Sequence, residues 1–248
     1  MSNERLRTAL LRKGMTPAQL AEQLQVDTKT AERWINGREP YRKHRFAVAA
    51  LLGVEESYLW PDALNRDQVS AASTSEIISV YPHRWAVPRD VWTRHFADAT
   101  ESIDMLTMAG LFLAEDSGTV RLFREKAESG VRVRLLISDP DSPAVALREK
   151  EEDTGPGVVA SRVRNVLALL RPLRGVENIE FRLHDACLYT SMFRADDDMI
   201  VNMHVYGVAG SNAPVLYLRK VPGGDMVTLY RDSYETIWNG ARPLESSA

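Results

Sequence analysis

Very little in this 248-residue chain can be crosslinked, inserted into a membrane or steered by bulk charge. It has one cysteine, Cys187, which excludes an internal disulfide and a paired-cysteine metal site. No long apolar run is present, so no membrane span is expected. The amino-terminal stretch, charged from Glu4, lacks the apolar core of a secretion signal. The formal net charge is only −3. A cytoplasmic protein is the expectation. What is present is ordinary globular material: 44% apolar and 26% charged residues, with five Trp and eight Tyr, which oppose pervasive disorder. The length suffices for two domains with separate cores.

The modest net charge conceals an asymmetry. Residues 1–60 hold ten Lys and Arg against seven Asp and Glu, a balance of +3; the remainder, 21 against 27, carries −6. A basic small segment followed by an acidic larger one suits nucleic-acid binding, because phosphate contacts call for Lys and Arg. Its centre is TPAQLAEQLQVDTKTAERWINGREP, residues 16–40. Thr16 before Pro17, with Gln19 three residues on, forms a capping box. Leu20, Ala21 and Leu24 recur at helical spacing. Asp27 caps a second helix that buries Ala31, Trp34 and Ile35 and stops at Gly37. Thr28, Lys29, Thr30, Glu32 and Arg33 then face outward, with Lys29 and Arg33 on one face. Arg38 follows the helix, and Arg42, Lys43, His44 and Arg45 lie just beyond, placed to contact backbone phosphate.

Residues 4–60 resemble the Cro/repressor-type (XRE) helix-turn-helix family, on the TPAQLAEQL helix, the Trp34–Gly37–Arg38–Pro40 exit and the closing LLGVEESYLWP. The resemblance implies an all-α domain that reads double-stranded DNA with Thr28, Lys29, Thr30, Glu32, Arg33, Arg38, Arg42 and Lys43. It also implies a homodimer on a palindromic operator, since one short helix reads a half-site. A small helical bundle that binds protein is the competing reading.

The domains are expected at 1–61 and 77–248, joined by a polar linker at 62–76 within which a short helix could form. From Ile77 the texture changes to alternating strands and helices. VRVRLLISDP is the clearest strand; the acidic REKEEDTGPG is expected to be a mobile loop or frayed helix. Later runs at 187–193, 199–206 and 214–219 read as consecutive strands, and a closing helix spans 226–238. The class is a mixed α/β sheet covered by helices. The segments SIDMLTMAG, GVRVRLLISDP, LYTSMFRADDDMIVNMHVYG and SYETIWNGARP resemble a phospholipase D-type domain. Active members of that family use His-x-Lys: the histidine attacks phosphorus and the lysine holds the phosphate oxygens. None of the five histidines here is followed two residues later by lysine, and Leu188-Tyr189-Thr190 stands where the motif would be. The resemblance therefore implies a degenerate, non-catalytic domain, and no enzyme is expected.

His184, Tyr189, Ser191, Arg194, Asn202, His204, Tyr206 and Arg219 cluster along the late strands. They form either a ligand pocket or an exposed sheet face. As a pocket they would take a small anionic effector, the arginines having no carboxylate partner among them. Asp196, Asp197 and Asp198 read as a solvated hairpin turn, and no metal or cofactor is expected. The overall expectation is a DNA-binding transcriptional regulator with a sensing or dimerising second domain. The alternatives are a DNA-targeted phosphodiesterase or nuclease, and a DNA-tethered protein-binding adaptor.

Overall fold

A computed structural model describes residues 3–63 and 75–244. The chain divides into two units, Met1–Ser75 with Val221–Asp225, and Glu76–Lys220 with Met226–Ala248.

Among its described residues the first unit has the α-helices α1 (Glu4–Arg12), α2 (Pro17–Gln23), α3 (Thr28–Ile35), α4 (Arg42–Leu52) and α5 (Glu56–Leu59). Local chemistry places their ends. Thr16 Oγ1 accepts from the Gln19 amide at 3.2 Å, and Gln19 Oε1 accepts from the Thr16 amide at 2.8 Å, closing the capping box of α2. Asp27 accepts from the Lys29 amide at 2.7 Å and starts α3. Between them Gln25 turns the chain at φ 52°. Leu6, Leu20, Ala31, Trp34, Val48 and Leu59 form one core with their neighbours. Burying a side chain such as Leu20 contributes about 1.5–3 kcal/mol. Thr28, Lys29, Glu32 and Arg33 are exposed, while Thr30 is half-buried. Arg45 departs from the basic run read in the sequence. It is buried, ion-paired with Glu56 and Glu39, and donates to the Pro40 carbonyl. It holds α4 against α5 and has no phosphate-facing role.

The second unit is built on an eight-stranded mixed sheet in the order β1-β7-β6-β5-β2-β3-β4-β8. Its strands are β1 (Ile77–Tyr81), β2 (Ser102–Thr107), β3 (Arg132–Ser138), β4 (Ile179–His184), β5 (Thr190–Ala195), β6 (Asp198–Met203), β7 (Val215–Arg219) and β8 (Arg242–Pro243). β2, β3 and β4 are parallel; the other pairings are antiparallel. Helices α6 (Arg89–Ala97), α7 (Leu111–Ala114), α8 (Ser117–Glu128), α9 (Pro143–Glu151), α10 (Val158–Leu169) and α11 (Met226–Gly240) accompany the sheet.

Two-residue alternation sorts the buried strand residues. Ile103, Met105, Val133, Leu135 and Ile137 join a core with Phe96, Phe123 and Val163. Leu106, Leu136, Met192 and Val201 join another with Tyr234 and Trp238 of α11. With both faces covered, every residue of β2 is buried, including Asp104.

The sequence reading needs correction at several elements. Of the linker expected at 62–76, Asp62 and Ala63 belong to the 3-10 turn Pro61–Ala63, and residues 64–74 lie outside those described. Glu76 is fully buried, and its carboxylate accepts from the Met226 and Val227 amides at 2.9 and 3.1 Å, capping α11. Of the stretch expected as a mobile loop or frayed helix, REKE is helical, the end of α9, which is started by Ser142 and Pro143 and whose inward residues are Ala144, Val145 and Arg148. β6 ends at Met203, so His204 and Tyr206 are not strand neighbours of Asn202. Asp196, at φ 51°, does more than turn the β5–β6 hairpin. Its carboxylate accepts from the backbone amides of Thr100, Glu101 and Ser102, which holds it below the usual carboxylate range despite opposing desolvation.

Candidate functional site

The carboxyl ends of parallel strands, where crossover connections part, are the usual place for a ligand in an open α/β sheet. Here a cavity of about 340 Å³ lies beside Thr107, the last residue of β2. The chain after Thr107 supplies one wall, with Gly110 at φ 78°; a Cβ there would come within 2.9 Å of Thr107 Cγ2. Arg148 enters from α9, Arg162 from α10, Ser191 from β5, His204 from just past β6 and Arg84 from the 3-10 turn Arg84–Ala86.

Arg148 and His204 form the centre. Arg148 is buried, and its Nη2 donates to the Leu188 carbonyl at 2.8 Å and to His204 Nδ1 at 2.9 Å. A guanidinium only donates, so Nδ1 accepts and the ring proton resides on Nε2. Nε2, 3.0 Å from Ser191 Oγ, therefore donates to that hydroxyl. The Ser191 proton is left to point elsewhere. Burial, reinforced by the Arg148 charge, lowers the His204 pKa to about 4, so the imidazole is neutral near pH 7. Glu151 and Glu152 approach Arg148 at 3.3 and 4.0 Å. Desolvation raises the Glu152 carboxyl. Arg84 donates to Asn202 Oδ1 at 3.3 Å and lies over the Phe112 ring at 4.3 Å. Burial lowers its pKa to about 10, still cationic at neutral pH. Three arginines against two glutamates line the cavity with a neutral histidine, an arrangement suited to an anion.

The structure separates the residues grouped from the sequence. His204 and Ser191 line the cavity, and Asn202 reaches it through Arg84. Buried His184 lies apart, 3.3 Å from both Ser138 Oγ and the Thr107 carbonyl. Tyr189 and Tyr206 are each 81% exposed. Arg194 is ion-paired with buried Asp104 and donates to Ser102, and Arg219 binds Asp198 through two 2.7 Å hydrogen bonds. The expectation that these arginines lacked carboxylate partners is thus corrected: Asp104 lies across the β2–β5 register and Asp198 across that of β6 and β7. Sequence reasoning missed Arg84, Arg148 and Arg162. For Arg148 a signal existed, an arginine in helical phase with Ala144 and Val145.

A family model described as a domain of unknown function, DUF5919, matches residues 73–245. The chain belongs to that family. No curated protein matches the sequence. Solved structures similar to it include TrmBL2, described as an archaeal chromatin protein with a novel mode of DNA binding, at 13% identity and TM-score 0.43, over 82% of this chain and 62% of that one. Nuc from Salmonella typhimurium, a phospholipase D family member, is similar at 14% identity and TM-score 0.36, over 64% and 91%. NucT from Helicobacter pylori is similar at 12% identity and TM-score 0.41, over 67% and 98%. The expectation of a non-enzyme is withdrawn: Nuc, a phospholipase D family member, and NucT are among the structures to which this chain is similar. No helix among the described residues is long and apolar enough to cross a membrane.

Proposed function

We propose that this DUF5919 protein binds double-stranded DNA through its first unit and a phosphoester through the cavity of its second. The observation that carries the second half is Arg148, buried yet turned to a cavity wall with Arg84 and neutral His204 beside it. The first half rests on α3. It buries Ala31, Trp34 and Ile35 and leaves Lys29, Glu32 and Arg33 exposed, as a helix-turn-helix recognition helix of the XRE type would. In this reading the domains are 1–61 and 77–248, the protein pairs on a palindromic site, and the phosphoester regulates transcription.

A second reading, cleavage of a phosphodiester in the same cavity, is favoured by the 3.0 Å contact between Ser191 Oγ and His204 Nε2. His204 Nδ1 also lies 3.1 Å from the Leu188 carbonyl. A phosphate that draws Arg148 onto itself would free Nδ1 to carry the ring proton and donate it to Leu188. Nε2 would then be an acceptor able to take the Ser191 proton as Oγ attacks phosphorus; the P–O bond to the leaving alcohol breaks, that oxygen takes the proton back from Nε2, and water deprotonated by Nε2 then hydrolyses the phosphoserine to release phosphate monoester.

The test is paired. Full-length protein is titrated with double-stranded DNA, selected for binding or scrambled, and Arg33→Ala should cost about 1–3 kcal/mol on the selected site only. Arg42→Ala should weaken both DNAs alike and flatten the salt dependence. Inorganic phosphate should raise the unfolding temperature, and Arg148→Lys should diminish that rise. Hydrolysis of bis-p-nitrophenyl phosphate, lost in Ser191→Ala, would select the cleavage reading. Unchanged DNA affinity in Arg33→Ala together with no stabilisation by phosphate would defeat both halves.

A further inference from the structure

A second cavity opens beside the first. It is the larger, about 810 Å³, and shares Arg84, Phe112, Glu115 and Ser211 with the first in its walls. Its chemistry is different. Trp85, Pro88 and Trp92 line it together with Phe112. Trp92 is buried, edge-on to Phe112 at 5.0 Å. Trp85 is 69% exposed, an unusual position for a large aromatic, and is stacked on the His83 ring at 5.2 Å and 13°. The His83 ring is itself held 2.8 Å from the Asn212 carbonyl.

We propose that the two cavities receive one ligand, a nucleotide, with its phosphate at Arg148 and His204 and its base against Trp85 and Trp92. This rests on the phosphoester reading and adds to it the identity of the esterifying group. The arginine-lined cavity is small and polar, and fits a phosphate with part of a sugar. The adjoining one offers indole surface, which a planar ring covers by stacking. An alkyl chain would also cover that surface, but it offers no hydrogen-bond partner to Glu115 and Thr119 in the same wall. A heterocycle with an exocyclic amino group and acceptor ring nitrogens offers a donor to the Glu115 carboxylate and an acceptor to the Thr119 hydroxyl. Arg84, between the two halves, is fixed by Asn202 and Phe112 and directs its remaining donors to the bridging sugar-phosphate.

The test is calorimetric titration of the full chain with adenosine 5′-monophosphate, ribose 5-phosphate, adenosine and a 5′-phosphorylated tetranucleotide. The monophosphate should bind at least about tenfold more tightly than ribose 5-phosphate, a base–aromatic stacking increment. Trp85→Ala, an exposed change that leaves the core intact, should abolish this advantage without altering ribose 5-phosphate binding. Arg148→Lys and Ser191→Ala should weaken both ligands. A tetranucleotide that binds more tightly than the monophosphate would identify a strand end as the source, and the reverse a free nucleotide; both support the proposal. Equal affinity for the monophosphate and ribose 5-phosphate would overturn the base site and leave the phosphoester reading standing. Adenosine binding with no response to ribose 5-phosphate would overturn the phosphoester reading and the single-ligand proposal with it, as would silence from all four.

Discussion

Arg134 and Arg148 are equally buried, each with 8% of its side chain exposed, in the same unit of the protein. Arg134 has every direction filled. It donates to Asp104 at 2.6 Å and to both Glu235 oxygens at 3.0 and 2.5 Å, and it lies over the rings of Tyr234 and Trp238 at 4.8 and 4.9 Å. Those partners raise its pKa further, against the opposing effect of desolvation. Arg194 shares Asp104, so two arginines and two carboxylates balance. Arg148 has a carbonyl and an imidazole as its close partners, with carboxylates at 3.3 and 4.0 Å, and it adjoins a cavity. Both arginines have two carboxylates, but those of Arg134 are hydrogen-bonded at 2.5–3.0 Å while those of Arg148 stand at 3.3 and 4.0 Å beside a cavity; the first arrangement is architecture, and the second leaves donors that a ligand can take up.

Truncating each arginine should separate the two roles. Arg134→Ala strands Asp104, which is 1% exposed, beside Arg194 alone. It should cost about 3–5 kcal/mol in urea unfolding and leave phosphate affinity per folded molecule nearly unchanged. Arg148→Ala should cost less in stability and instead remove about 1.5–3 kcal/mol of phosphate binding, the range for a hydrogen bond to a charged group. If Arg148→Ala proved the more destabilising and left phosphate binding intact, the assignment of roles would be reversed.

The same contrast explains what was legible in the sequence. The helices of the first unit are announced by residues a few positions apart: Thr16 with Gln19, Asp27 with Lys29, Gly53 at φ 68° after α4. The mixed sheet is legible in the succession of strand and helix patterns, and β3 in its run of Val133, Leu135, Leu136 and Ile137, all buried. The cavity is not, because its chief members, Arg84, Arg148, Ser191 and His204, come from four separate segments. Arg194 and Arg219 looked free for the complementary reason: the carboxylates opposite them, Asp104 and Asp198, are 90 and 21 positions away. Local rules capture caps and faces; which arginine meets which carboxylate is decided by strand register.

A smaller effect sharpens the comparison by titration. The His204 pKa is lowered to about 4, by burial first and then by Arg148, while the unfolded chain titrates near 6.5. Between these values the unfolded state binds more protons, so stability rises with pH. It is retained above about pH 6.5 and lost as pH falls toward 4. From pH 7 to 5.5 the His204 share is about 1 kcal/mol. His95 and His184, whose pKa values burial also lowers to about 4, contribute alike in wild type and variant. The difference between wild type and His204→Gln in urea unfolding at the two pH values therefore isolates His204. Saturating inorganic phosphate should shrink that difference, because a bound dianion favours the imidazolium. A pH dependence identical in wild type and His204→Gln would show that the ring is not held neutral, and would remove the ground for placing its proton on Nε2.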